Sequence, residues 1–333
     1  MSYDVLVVGE VLVELSADGP LRGSDRLTLS FSGDALNAAA AAAAAGASVG
    51  LLARIGDDEL GDALTAHVER CGVSTALLRR VREPNGMYIV IPDPDSVGGF
   101  VYMRRGSAGS TLAPDDVRGV SARALVVSGI GQAISESAAE AVELAARTVS
   151  EAGGIVVYDP NFRARLTTEA AAREAFARIA PWVSVALPSH PVETRALLGV
   201  DTPAAAVAAC RRLGVGAVAV TCGAEGVLVG LPASSADAPG AAADVPVSSP
   251  DVPEDGDALL APPADAAGAG TDHFVPAARV PAIVDATGAG DAFAGTLAAR
   301  LALGAELLDA VGDGVAAAAR SLGGRGGTGW ITG

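Results

Sequence analysis

The stretch Asp285-Ala-Thr-Gly-Ala-Gly-Asp-Ala-Phe-Ala-Gly295 is the most informative in the chain. An apolar run at 280–284 precedes it and reads as a buried strand. A helical pattern at 292–303 follows it. Thr287, Gly288, Ala289 and Gly290 are therefore expected where a strand turns into a helix. Small residues there leave backbone N–H groups uncovered at a helix N-terminus, which suits an anion. A carboxylate at Asp291 would repel a phosphate held at that spot unless it takes part in the reaction. The role it fits is general base, taking a hydroxyl proton while the amides hold the transferring group. Asp also favours the first turn of any helix, so Gly-Ala-Gly-Asp alone reads equally well as a capped turn.

Working outward, strand-like runs recur at 5–8, 49–53, 124–127, 155–158, 183–187 and 217–221. Helical patterns at 58–71, 136–151, 168–179 and 203–213 separate most of them. This alternation predicts an α/β fold of three layers, with helices on both faces of a mainly parallel sheet. Residues 11–31 and 84–105 alternate without helices, as in Met87-Tyr-Ile-Val-Ile91. Two such hairpin-like pieces are expected to pair as a small antiparallel sheet. Residues 232–272 are rich in Pro, Ala and Asp and hold no basic residue. They read as a low-complexity surface insertion in one domain spanning 1–333, and their removal should leave activity largely intact.

Composition narrows the function classes. The formal net charge of −16 argues against unaided binding to nucleic acid or an anionic membrane. All 23 basic residues are arginine. No Walker A lysine or Schiff-base lysine is therefore possible, and any phosphoryl transfer must rely on Arg, backbone amides and a metal ion. The 3 cysteines stand far apart, so a disulfide framework or zinc site is not expected. Gly9-Glu-Val after the first strand lacks the dinucleotide turn, which argues against a dinucleotide-dependent oxidoreductase. With no basic n-region and no long apolar run, a cytoplasmic protein is expected.

The eleven-residue string resembles the C-terminal motif of the ribokinase (PfkB) family of sugar kinases. The resemblance implies a ribokinase-like fold whose small sheet forms a lid over the sugar. It makes Asp291 the catalytic base and the amides of Gly288, Ala289 and Gly290 the anion hole. Phe31-Ser-Gly-Asp-Ala-Leu-Asn37 is similar to the family's Gly-Gly-x-x-x-Asn motif, with Ser32 for the first glycine. The variant with Gly33, Asp34 and Asn37 resembles the 2-keto-3-deoxygluconate kinase branch. So do Tyr88, the Tyr102-Met-Arg104 stretch and Asp159-Pro-Asn-Phe-Arg163. In that branch Gly33, Asp34, Asn37, Tyr88, Tyr102, Arg104 and Arg163 would face the sugar, with the two arginines holding an acid substrate's carboxylate. A neutral sugar such as fructose or ribose, and a regulator that binds without catalysis, stay open.

On the nucleotide side, Thr221-Cys-Gly223-Ala-Glu-Gly226 resembles a family loop near ATP, with Thr221 where many relatives carry lysine. His190-Pro-Val-Glu193 resembles Asn-x-x-Glu, whose Glu would organise Mg²⁺ through water; His190 replaces the Asn. Asp285 and Thr287 match positions that bind a monovalent cation such as K⁺ in some relatives. The helix at 306–322 and Gly323 to Thr328 are expected to border the adenine. Partners implied are ATP, a small sugar acid and a second copy of the chain joined through the lid.

Overall fold

Alternation along the first strand sets the layering. In β1 (Ser2–Val8), Val5 and Val7 enter one hydrophobic cluster, and Leu6 and Val8 enter the other. Successive side chains on a strand point to opposite faces, so a continuous apolar run means both faces are covered. The computed structural model describes residues 2–22, 26–91, 99–231, 272–280 and 282–332.

The strands after β1 are β2 (Leu12–Ala17), β3 (Leu27–Ser32), β4 (Val49–Gly56), β5 (Leu78–Val81), β6 (Met87–Ile91) and β7 (Gly99–Met103). Then come β8 (Ser121–Ser128), β9 (Ile155–Asp159), β10 (Val185–Ala186), β11 (Ala217–Thr221), β12 (Gly226–Gly230) and β13 (Asp272–Pro276). Among the described residues a nine-stranded sheet runs in the order β13-β12-β11-β10-β9-β8-β1-β4-β5. Its pairs are parallel from β11 through β5, and antiparallel where β12 and β13 close the edge.

One face is covered by α1 (Asp34–Ala44), α2 (Glu59–Arg70), α9 (Ala289–Ala302) and α10 (Leu307–Ser321). They contribute Leu36, Leu64, Leu297 and Val311 to the cluster that holds Val5 and Val7. The other face is covered by α5 (Glu136–Glu151), α6 (Glu169–Ile179) and α8 (Pro203–Arg212), through Val142, Phe176 and Val207. Short helices α3 (Pro114–Val117), α4 (Gly129–Ala133), α7 (Val192–Leu198) and α11 (Gly329–Thr332) fill the connections. Five helices begin where a side chain caps them, α4 among them through Ser128, which accepts from Gly131 N–H. Asp58, Ser135, Thr168 and Thr202 each accept from the amide three residues on.

The smaller sheet has the order β3-β2-β6-β7. Its hairpins are antiparallel, as expected, but β2 pairs with β6 in parallel. The two strands run side by side in one direction, with β3, α1, β4, α2 and β5 supplying the long crossover that a parallel pair needs.

Among the described residues of 280–284 the expected strand does not form. Ile283 and Val284 are exposed, and Val284 N–H donates to the Leu322 carbonyl at 2.8 Å. The edge place beside β12 is taken by β13. Pro281 also has no N–H to give a ladder. The insertion assigned to 232–272 lies outside the described residues except for Asp272, the first residue of β13.

The sheet places the site. Its strand order reverses at β1, and Glu10, Ser128, Asp159 and Thr221 gather at or just beyond the C-terminal ends of β1, β8, β9 and β11. That crevice is where open parallel sheets bind ligands.

Candidate active site

The base expected at Asp291 lies in the first turn of α9. Gly288 precedes that helix in the left-handed conformation, with φ 80°, and no side chain caps the N-terminus. The amides there remain available to an anion. Asn37 Nδ2 donates to Asp291 Oδ2 at 2.9 Å, and Asn161 Nδ2 donates to Oδ1 at 3.4 Å. Burial pushes the Asp291 carboxyl up to about 7, and the Asp34 charge adds to this; Asn37, Arg163 and Asn161 oppose it. A carboxylate near 7 is matched to proton abstraction at neutral pH.

Asn37 itself is buried in α1, with Ser32 Oγ 3.4 Å from its carboxamide. Its donor is thus committed to Asp291 as well as facing the cavity. Gly33 opens α1 at φ 119°, and a Cβ there would sit 2.6 Å from the Glu10 carbonyl. Asp34 accepts from Ser128 Oγ, and burial raises its carboxyl above the ordinary range.

The lid brings aromatic side chains over the crevice. Ring centroids of Tyr88 and Tyr102, and of Tyr88 and Phe100, are 5.9 Å apart. Tyr88 is buried and its hydroxyl donates to Glu14. Arg104 is ion-paired with Glu10, which is fully buried after β1. Burial pushes Glu10 up to about 7, with Arg104 pulling down, Asp34 pushing up and Ser107 pulling down. Among the described residues Arg104 Nε has no partner. Arg165 reaches from the body to the lid and donates to the Phe100 carbonyl at 2.6 Å.

The loop after β9 supplies the third wall. Asp159 is held well above the ordinary range by burial and by the nearby charges of Glu193 and Asp291. Glu193, in the first turn of α7, accepts from the amides of Phe162 and Ser189 at 2.6 and 2.7 Å. Burial raises its carboxyl too. Arg163 is exposed on the same loop.

One cavity of about 1760 Å³ joins these walls. Gly33, Asp34, Asn37, Tyr88, Tyr102, Arg104, Arg163, Glu193, Thr221, Asp285, Thr287 and Gly288 to Asp291 all line it. His190, Gly223, Gly226 and Gly323 to Thr328 do not. His190 Nδ1 lies 3.0 Å from Thr194 Oγ1, and Ser189 holds the cavity position beside it. Gly223 lies in the turn between β11 and β12, and Gly226 is the first residue of β12. Asp285 accepts from Thr287 N–H at 2.8 Å and Gly326 N–H at 2.9 Å, so both carboxylate oxygens brace the backbone. Sequence reasoning gave no role to Glu10, Glu14, Asp159, Asn161, Arg105, Arg165 or Ser189. The Asp-Pro-Asn run after a strand was the one local signal for two of them.

The donors fit a magnesium nucleotide. Among the described residues no three His, Cys, Asp or Glu side chains form a metal cage. Asp159 and Glu193 both line the cavity, and their mutual repulsion is what a cation would relieve. Magnesium keeps most of its waters and binds through one or two carboxylates plus phosphates, so it needs no cage.

A family model described as pfkB family carbohydrate kinase matches residues 3–249 and 262–331. A 2-dehydro-3-deoxygluconokinase of Thermoproteus tenax is 35% identical over 68% of this chain and 71% of its own length. A 2-dehydro-3-deoxygalactonokinase of Haloferax volcanii is 29% identical over 62% and 67%. The crystal structure of aminoimidazole riboside kinase from Salmonella enterica, complexed with aminoimidazole riboside and an ATP analog, superposes with TM-score 0.76 at 25% identity. It covers 97% of this chain and 95% of that one. No helix among the described residues is long and apolar enough to cross a membrane. With the motif, the lidded crevice and the whole-length family match in agreement, this chain belongs to the pfkB family of carbohydrate kinases.

Proposed function

We propose that the protein transfers the terminal phosphoryl group of ATP to the primary hydroxyl of a sugar acid, 2-keto-3-deoxygluconate. One observation carries this reading. A half-buried carboxylate, uncapped helix amides and arginines all line one cavity beneath an aromatic lid. Asp291 takes the hydroxyl proton as the oxygen attacks. The amides of Gly288, Ala289 and Gly290 stabilise charge on the transferring group. Magnesium, when bound with ATP, neutralises phosphate charge; Asp159 and Glu193 are the side chains that would hold it, the latter through water. The choice of an acid substrate rests on Arg104, Arg105, Arg163 and Arg165, which all line the cavity. Beside the phosphates of ATP, the carboxylate of a sugar acid gives that concentration of positive charge a second anion to hold.

A second reading follows from the Glu10–Arg104 pair. If Glu10 keeps Arg104 for itself, the substrate is a neutral sugar and Arg104 is structural. Side-by-side assays with 2-keto-3-deoxygluconate, 2-keto-3-deoxygalactonate, fructose and ribose decide between them. Turnover of the ketodeoxy acids, lost in Arg163→Ala, supports the first. Turnover of fructose or ribose alone, indifferent to Arg163→Ala, supports the second.

A further inference from the structure

We propose that Asn161 is a positioning residue for the base, holding Asp291 in its working orientation by presenting its carboxamide from a left-handed backbone. The proposal rests on the assignment of Asp291 as base. Asn161 has φ 41°, and it stands alone in that region among the described residues other than glycine. Such a backbone is strained for a side-chain-bearing residue and persists where the surroundings hold it. Here the strain has a consequence at the site. Asn161 N–H donates to Asp159 Oδ1 at 3.0 Å, while its Nδ2 reaches Asp291 Oδ1 at 3.4 Å. One buried residue therefore contacts two carboxylates that repel each other.

The geometry around Asp291 completes the case. Asn37 donates to Oδ2 from α1, and Asn161 donates to Oδ1 from the loop after β9. The two carboxamides fix the plane of the carboxylate and leave its other lone pairs toward the cavity. The charged groups acting on Asp291 are Asp34, Asp159 and Arg163. Two of the three are acidic, so loss of either amide makes the ionised base harder to keep.

The test separates positioning from folding. Glycine adopts φ 41° without strain, so Asn161→Gly removes the carboxamide and keeps the loop. Expected are a melting temperature equal to or above the parent's, kcat at pH 7 down by roughly 10-fold or more, and KM for ATP within about twofold. The acidic limb of the pH profile should move up by about half to one pH unit. Asn161→Asp, which adds a like charge beside Asp291, should move the limb further. Asn161→Gly with the parent's kcat and limb overturns the proposal. So does a loss of activity matched by a loss of stability. Asp291→Asn is run alongside. If it is inactive while Asn161→Gly is normal, only this inference falls; if it turns over normally, the assignment of the base falls as well.

Discussion

Asn37 Nδ2 donates to Asp291 Oδ2 at 2.9 Å, joining the first turn of α1 to the first turn of α9 across 254 positions of sequence. Asn37→Ala leaves one carboxylate oxygen without that donor. Asn37→Asp places a second acid beside it, so the pair must share a proton. Turnover should fall roughly 10²-fold in the first and further at pH 7 in the second. The Asp variant should recover part of its activity as pH rises. Steady-state kinetics from about pH 6 to 9 check the order.

Asp291 titrates at about 7 and must be ionised to act, so kcat/KM of the parent should rise with pH and level off above about 7. Stability runs the other way. The folded carboxyl holds its proton more tightly than the ordinary value of 3.8, so between about 4 and 7 the folded state binds more protons than the unfolded one. Stability is then lost as pH rises through that window. Asp291→Asn removes the penalty. It should melt higher than the parent by about 2–6 °C at pH 8 and show no advantage near pH 4. Thermal melts at both pH values measure this.

Gly295 closes the motif, and a Cβ there would overlap the Ala38 carbonyl, where α9 crosses α1. Gly295→Ala must push the two helices apart. The same movement separates Asn37 from Asp291. We expect a loss of about 1–3 kcal/mol, or more if the helices cannot shift. Turnover should fall beyond what unfolding explains. Urea unfolding and active-site titration separate the two effects.

Arg104 and Glu10 form a buried ion pair. Arg104→Ala leaves Glu10 buried without its cation, so its carboxyl takes up a proton near neutral pH, and we expect a loss of about 1–3 kcal/mol that grows as pH rises above 7. Adding Glu10→Gln should restore most of the stability without restoring use of an acid substrate. A double-mutant cycle in Tm and in KM for the sugar acid tests both halves.

The helices and most strands were legible because their signals are local. The pattern at 136–151 matches α5 residue for residue, and the run at 217–221 matches β11. Caps such as Ser135 and Thr168 mark starts that need no distant partner. The run at 280–284 misled because apolar residues signal burial only when a free sheet edge exists to receive them. The strand that filled that edge, β13, begins inside a tract read as insertion. The parallel junction of the lid was invisible for a related reason. Alternation identifies a strand and says nothing about the direction of its neighbour.

By itself, the sequence determined the layered α/β order, the uncapped helix start and the carboxylate placed beside it. These depend on residues a few positions apart. Only the tertiary structure decided which side chains act on that carboxylate and which arginine is already engaged. Asn37 and Asn161 meet Asp291 from 254 and 130 positions away, and Glu10 meets Arg104 from 94. Burial then sets the charge of Asp291 and Glu10. Desolvation is a property of the assembled crevice and has no counterpart in any local stretch of chain.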